Sequence, residues 1–234
     1  MPNTKYWLQD RPGIIFLPEK APSDFPRKLD KLLVDDISVG IASIKNAAKT
    51  GLPLSMSLPK KDTENYRSIQ RAKVLAKGRY CADRAKNPIE RVIRAASVIG
   101  ADPVVLLRGD RPCIPPDFIN ECVDKFLKLN AVYPGCGYFS TTSRSDTDEY
   151  IGGLPDGIDV EILTMQNLIR CYRYTVDKES KKYITNWAKN YYTPHFFNDN
   201  GHKFDYTLKY LISKPEDLYP LRETYEICGF NSND

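Results

Sequence analysis

The sequence predicts a three-layer α/β/α sandwich, with helices covering both faces of a mostly parallel mixed sheet. Three observations carry this expectation. Strand-like and helix-like stretches alternate along almost the whole chain. Val104-Val105-Leu106-Leu107 is apolar without alternation, as in a strand buried on both faces of a largely parallel sheet. Gly51 and Gly100 are placed to end helices at the points where the pattern changes.

The elements follow in order. Ile14-Ile15-Phe16-Leu17 reads as a first strand. Ile37, Ile41, Ile44 and Ala48 share one helical face ahead of Gly51, and Leu52, Leu54, Met56 and Leu58 then alternate as a strand with one buried face. From Asn87 the pattern is that of a capped helix. Asn87 can cap, Pro88 suits the first helical position, Glu90 stands where a capping box wants a carboxylate, and Ile89, Val92, Ile93 and Ala96 form the apolar stripe.

After the strand 104–107 comes the turn Arg108-Gly109-Asp110-Arg111-Pro112. Pro115-Pro116 then opens a helix bearing Phe118, Ile119, Cys122, Val123, Phe126 and Leu127. Residues 158–163 alternate as a strand and lead through Thr164 into a helix carrying Leu168, Ile169 and Tyr172. Residues 208–212 are strand-like, and Ser213-Lys214-Pro215-Glu216 reads as a capping box before Leu218, Leu221 and Tyr225. The chain of 234 residues is expected to form one domain over residues 1–234.

Composition excludes several classes. Apolar runs of only a few residues and an N-terminus without basic, apolar and small-residue regions predict neither a membrane span nor a secretion signal. Six scattered cysteines without a C-x-x-C pair, alongside two histidines, fit neither a disulfide framework nor a zinc site and predict a reducing, cytoplasmic setting. The net charge of +4 arises from 34 basic and 30 acidic residues that are mixed along the chain, so no nucleic-acid partner is expected. No G-x-x-x-x-G-K-[ST] or G-x-G-x-x-G motif is present, which removes the main support for a Walker-type ATPase or an ordinary dinucleotide dehydrogenase.

In α/β sheets ligands bind beyond the carboxyl ends of the strands. Three segments qualify: the one after Leu17, the turn 108–112 and the region 156–161. Asp110 directly follows Gly109 at the end of a buried strand, where a carboxylate can meet Mg²⁺ and a glycine lets a phosphate or base approach the backbone. An Asp before a proline turn is also an ordinary turn cap. Asp156-Gly157-Ile158-Asp159-Val160-Glu161 supplies three acids, with Asp159 and Glu161 on the face opposite Ile158, Val160 and Ile162. Lys28 is the best-placed cation near the first strand, although a lone lysine in so polar a stretch is usually solvated.

The order of these pieces resembles a family. Glu90-Arg91, Gly100-Ala101-Asp102-Pro103, Gly109-Asp110-Arg111-Pro112-Cys113-Ile114, Pro155-Asp156-Gly157-Ile158-Asp159-Val160-Glu161 and Lys214-Pro215-Glu216-Asp217-Leu218 are similar to the blocks of the cytidylyltransferases of the spore-coat polysaccharide type. These are relatives of the acylneuraminate and 3-deoxy-manno-octulosonate cytidylyltransferases. The family's Gly-Ser-x-Arg-x-Pro-x-Lys loop is matched by residues 21–28, which keep Ser23, Pro26 and Lys28 but lack the glycine and the arginine and carry Asp24.

The resemblance implies a glycosyltransferase-A-like nucleotide-diphospho-sugar transferase fold. It also implies transfer of a nucleotidyl group from an NTP, CTP first, to a sugar acid or sugar phosphate in glycan or polysaccharide synthesis, with release of pyrophosphate. On that resemblance Lys28 and Asp110 are the expected catalytic residues, and Ser23, Arg27, Lys28, Arg91, Gly109 and Asp110 the nucleotide-binding ones. Asp156, Asp159, Glu161 and Thr185 line the acceptor side, Asp110 and Asp159 hold Mg²⁺, and a homodimer is compatible with the relatives.

Two other readings stand beside it. A metal-dependent glycosyltransferase on the same fold would use Asp146-Thr147-Asp148, within the polar run 141–149 that reads as a flexible loop. A non-catalytic nucleotide- or sugar-binding descendant would draw on the fifteen tyrosines, including Tyr172, Tyr174, Tyr191 and Tyr192.

Overall fold

The computed structural model describes residues 11–18, 27–59, 80–133, 136–145, 149–176, 183–191 and 203–229. The central sheet has six strands. From one edge they are β5 (Tyr80–Asp83), β4 (Leu54–Pro59), β1 (Gly13–Leu17), β6 (Val104–Arg108), β10 (Glu161–Leu163) and β7 (Tyr138–Ser140). The first four run parallel, and β10 is antiparallel to both of its neighbours. The expected mixed, mostly parallel sheet is what forms.

Parity within the strands divides the core into two layers. In β1 and β6, Ile14, Phe16, Val105 and Leu107 face α1 (Val39–Lys49), α3 (Pro116–Val132) and α6 (Leu218–Ile227). Ile15, Val104 and Leu106 face α2 (Pro88–Ile99), α4 (Met165–Tyr174) and α5 (Asn186–Tyr191). Strands buried on both faces need no polar alternation, which is why β6 reads as an unbroken apolar run.

The helix boundaries follow local chemistry. The Asn87 side chain accepts from the Ile89 N–H at the start of α2, and Gly100 ends that helix in the left-handed region. Glu90 pairs with Arg94 one turn on, at 2.6 Å. Thr164 caps α4 by accepting from Asn167 N–H.

Four local expectations change. Ile37 lies in β3 (Ile37–Ser38), which pairs with β2 (Leu32–Val34), so the helix begins only at Val39. The strand predicted over 158–163 is regular only from Glu161, because Thr141 Oγ1 donates to the Ile158 carbonyl and accepts from Val160 N–H, so its side chain supplies bonds a ladder would otherwise make. Residues 208–212 form no strand, since Lys209 N–H goes to Thr224 Oγ1 and Ile212 N–H to the Asp110 carbonyl. The run 141–149 begins with β8 (Thr142–Arg144), which pairs antiparallel to β9 (Tyr150–Gly153) just beyond the run.

The cap before α6 is also reassigned. Asp217, not Glu216, accepts from Ser213 Oγ and from the Ser213 and Lys214 N–H groups. Among the described residues no helix is long and apolar enough to cross a membrane.

Candidate active site

The carboxyl ends of β1 and β6 lie side by side, with Leu17 paired to Arg108. From this edge the chain enters the turn 109–112, which is fixed by two polar side chains of α1. Ser43 Oγ donates to the Gly109 carbonyl at 2.8 Å and Asn46 Nδ2 to the Pro112 carbonyl at 2.7 Å. Both side chains are buried on an otherwise apolar helix face, and each satisfies a loop carbonyl that burial would leave unpaired. From the far side, Ile212 N–H donates to the Asp110 carbonyl at 3.1 Å.

Gly109 has a different role from the one expected. A Cβ here would come within 3.0 Å of Phe16 Cζ and 3.2 Å of Leu29 Cδ1, and its N–H is already given to the Leu17 carbonyl. The glycine makes room for core packing, and its amide is not available to a phosphate.

Leu29 also explains how Lys28 reaches the site. Arg27 sits in the left-handed region, a single 3-10 turn spans Lys28–Asp30, and Leu29 is driven into the core beside Gly109. Lys28 Nζ thereby meets Asp110 Oδ2 at 2.8 Å, with both side chains buried. Burial would raise the Asp110 carboxyl, but Lys28 and then Arg111 outweigh it and hold the group below the usual carboxylate range. Asp110 Oδ1 is buried and accepts no hydrogen bond.

The segment 156–161 brings the second acid. Asp159 is 2% exposed and accepts from Arg144 Nε at 2.7 Å, Arg144 Nη2 at 3.1 Å, Gly157 N–H at 3.0 Å and the Thr142 hydroxyl, and Arg111 Nε forms an ion pair with its Oδ2 at 3.1 Å without a hydrogen bond. Burial again pushes the carboxyl up, and Arg111 followed by Arg144 overrides it, leaving Asp159 ionised far below the ordinary range. Arg144 also holds the half-exposed Asp156. Gly157 is required twice over, since its φ is +105° and a Cβ would meet the Tyr210 backbone at 2.7 Å.

Glu161 lies deeper on the same face. It accepts from Tyr138 Oη at 2.5 Å and Thr185 Oγ1 at 2.8 Å, so Thr185 does meet an acid of this segment. Burial first, then the Glu161 charge, pushes the Tyr138 hydroxyl well above its usual value.

The structure thus gathers Lys28, Gly109, Asp110, Asp156 and Asp159 around one sheet edge, with Glu161 and Thr185 beneath. Two expected residues are occupied elsewhere. Arg91 Nη1 donates to the Ala85 and Lys86 carbonyls, tying α2 to the loop before it, and Arg27 pairs at the surface with Asp30 at 2.9 Å. Ser23 and the Asp146-Thr147-Asp148 triplet lie outside the described residues. Sequence reasoning missed Arg111, Thr142, Arg144, Ser43 and Asn46. Arg111 stood in plain view inside Gly-Asp-Arg-Pro, and only its burial at 4% exposure distinguishes it from a turn residue.

A divalent ion was expected between Asp110 and Asp159, and the donor set supports only half of that. Asp110 Oδ1 is a buried carboxylate oxygen that accepts no hydrogen bond, and carboxylate oxygens are what Mg²⁺ takes alongside water and phosphate oxygens. Asp159 has no oxygen left to give. Among the described residues no group of three or more His, Cys, Asp or Glu could hold a metal ion.

No protein-family model matches the sequence and no curated protein matches it. Solved structures do match. A cytidylyltransferase from Leptospira borgpetersenii serovar Hardjo-bovis superposes with a TM-score of 0.71 at 16% identity, over 93% of this chain and 87% of that one. The chain shares the fold of that structure. CMP:2-keto-3-deoxy-manno-octonic acid synthetase, solved in complex with CTP, matches with a TM-score of 0.56 at 12% identity over 92% of this chain and 99% of that one. The protein Rv0371c of Mycobacterium tuberculosis H37Rv matches at 0.57 and 15% identity, over 90% of this chain and 97% of that one.

Proposed function

We propose that this chain is a nucleotidyltransferase that uses CTP to activate a sugar acid or sugar phosphate, releasing pyrophosphate, in glycan or polysaccharide synthesis. The observation that carries the reading is the buried Lys28–Asp110 pair at the carboxyl end of β6, on a fold shared with cytidylyltransferases. A buried ion pair contributes little net stability compared with apolar residues of the same size. Its placement at this edge is better accounted for by chemistry than by folding.

In the proposed reaction an acceptor oxygen forms a new bond to the α-phosphorus while the bond from that phosphorus to the bridging oxygen breaks. Pyrophosphate leaves with the bonding pair, and a hydroxyl acceptor gives up its proton to solvent. The protein's work is alignment and charge stabilisation, as in other phosphoryl-group transfers. Lys28 faces the negative charge that builds on the departing pyrophosphate. Mg²⁺ held on Asp110 Oδ1 would neutralise phosphate oxygens next to the reacting centre. Arg144 keeps Asp156 and Asp159 in place on the acceptor side, where Asp156, the more exposed of the two, is the acid able to reach a sugar hydroxyl.

The test is pyrophosphate release from each of the four NTPs with Mg²⁺ across a panel of sugar acids and sugar phosphates. Release with CTP that depends on one acceptor supports the reading. No release from any pair rejects it.

A further inference from the structure

We infer that Arg111 is a built-in cation standing where a divalent ion shared by Asp110 and Asp159 would otherwise sit. The site therefore takes one divalent ion, on Asp110 alone, and only when nucleotide phosphates complete its coordination.

The geometry is direct. Arg111 Nε lies 3.1 Å from Asp159 Oδ2 and 3.7 Å from Asp110 Oδ1, so the guanidinium bridges the two carboxylates. Its burial removes the water that would let it swing away. Asp159 is crowded: an ionised carboxylate offers roughly four lone-pair positions, Arg144, Thr142 and the Gly157 N–H hydrogen-bond to its two oxygens, and Arg111 stands against Oδ2 as an ion pair. A dication reaching Asp159 would have to displace a buried guanidinium and stand beside the other. Asp110 differs, because Lys28 takes Oδ2 and leaves Oδ1 without a hydrogen-bond donor.

The charge count agrees. Lys28, Arg111 and Arg144 have side chains no more than 7% exposed, against two carboxylates, Asp110 and Asp159, no more than 8% exposed. Glu161, buried beneath them, brings the carboxylates to three, so the buried charges already balance without a metal, and a dication at Asp159 would stand beside two guanidinium groups. Arg111 is thus a positioning residue: it fixes Asp110 and Asp159 relative to each other without a metal between them.

Titration of the full chain with Mn²⁺, read by electron paramagnetic resonance, tests this. Without nucleotide the wild type is expected to bind no Mn²⁺ tighter than about 1 mM. Arg111→Gln should gain a site about tenfold tighter or better, lost again when Asp159→Asn is added. A wild-type site that forms without nucleotide and disappears in Asp159→Asn would overturn the assignment. So would a folded Arg111→Gln with no gain in Mn²⁺ affinity. Should Arg111→Gln fail to fold, the wild-type and Asp159→Asn titrations decide alone. The second arm, one Mn²⁺ per chain with CTP and none in Asp110→Asn, rests on the proposed nucleotidyl transfer. Its failure alone would count against that reading and leave Arg111 as assigned.

Discussion

Lys28 and Asp110 are 82 positions apart in the chain and 2.8 Å apart in space, each buried and each facing the other. Burial makes the pair a coupled unit. Lys28→Met leaves a buried carboxylate short of its closest cation, and Asp110→Asn leaves a buried ammonium facing a neutral amide. Each single change is expected to cost about 3–5 kcal/mol of stability. The double variant should cost less than their sum, with a coupling of about 1–3 kcal/mol. Urea unfolding of the four proteins measures this, and additive losses would show that the two groups do not depend on each other.

Acid should loosen the site before it unfolds the rest. The Asp110 and Asp159 carboxyls are both depressed in the folded chain, so their contribution is fully present above an unfolded-state value of about 3.9. It is lost as pH falls from about 5 towards those lower folded values. Asp159→Asn should therefore start less stable at neutral pH and show a shallower fall in Tm between pH 5 and pH 3 than the wild type. Parallel Tm–pH curves for the two would show that Asp159 carries none of the acid limb.

Gly157→Ala should destabilise the chain by about 2–4 kcal/mol, since a side chain at that positive φ is strained and its Cβ would strike the Tyr210 backbone. The damage should spread to the proposed acceptor side, because the Gly157 N–H is one of the donors holding Asp159. Chemical denaturation gives the first effect and the KM for acceptor the second.

Thiol chemistry separates the cysteines. Cys228 is exposed, and a hydrogen bond from Cys113 lowers its thiol below the usual value. Burial holds Cys113 and Cys122 well above the ordinary thiol value, beyond useful reactivity. Iodoacetamide at pH 7.5 followed by mass spectrometry should label Cys228 before Cys113, Cys122, Cys136 or Cys171. Early labelling of Cys113 would contradict the burial that encloses it.

The sequence reveals the layers more readily than the site. The apolar run 104–107, the capped helix from Asn87 and the helix after Pro115-Pro116 are all local signals, and each survives folding because periodicity and capping are properties of adjacent residues. Lys28 and Asp110 could be singled out, one as the best-placed cation near the first strand and the other by its place after a buried strand, and both through a family resemblance. What a linear pattern does not carry is how charges pair across the chain. Arg111 and Arg144 read as ordinary turn and loop residues until Asp159 is seen between them, and Arg91 reads as a ligand until its guanidinium is found holding the Ala85 and Lys86 carbonyls. Gly109 shows the same limit, since the packing of Phe16 and Leu29 that demands it comes from two distant segments.

In the proposed nucleotidyl transfer the α-phosphate leaves the nucleotide for an acidic sugar, so its fate can be followed with a label. CTP labelled at the α-phosphorus should pass its label to a sugar acid or sugar phosphate with Mg²⁺ present, giving a cytidine-nucleotide sugar and one pyrophosphate per transfer, and Asp110→Asn should lower the rate by about 100-fold or more. Label that stays in CTP with every acceptor, or an Asp110→Asn variant as active as the wild type, would contradict the account.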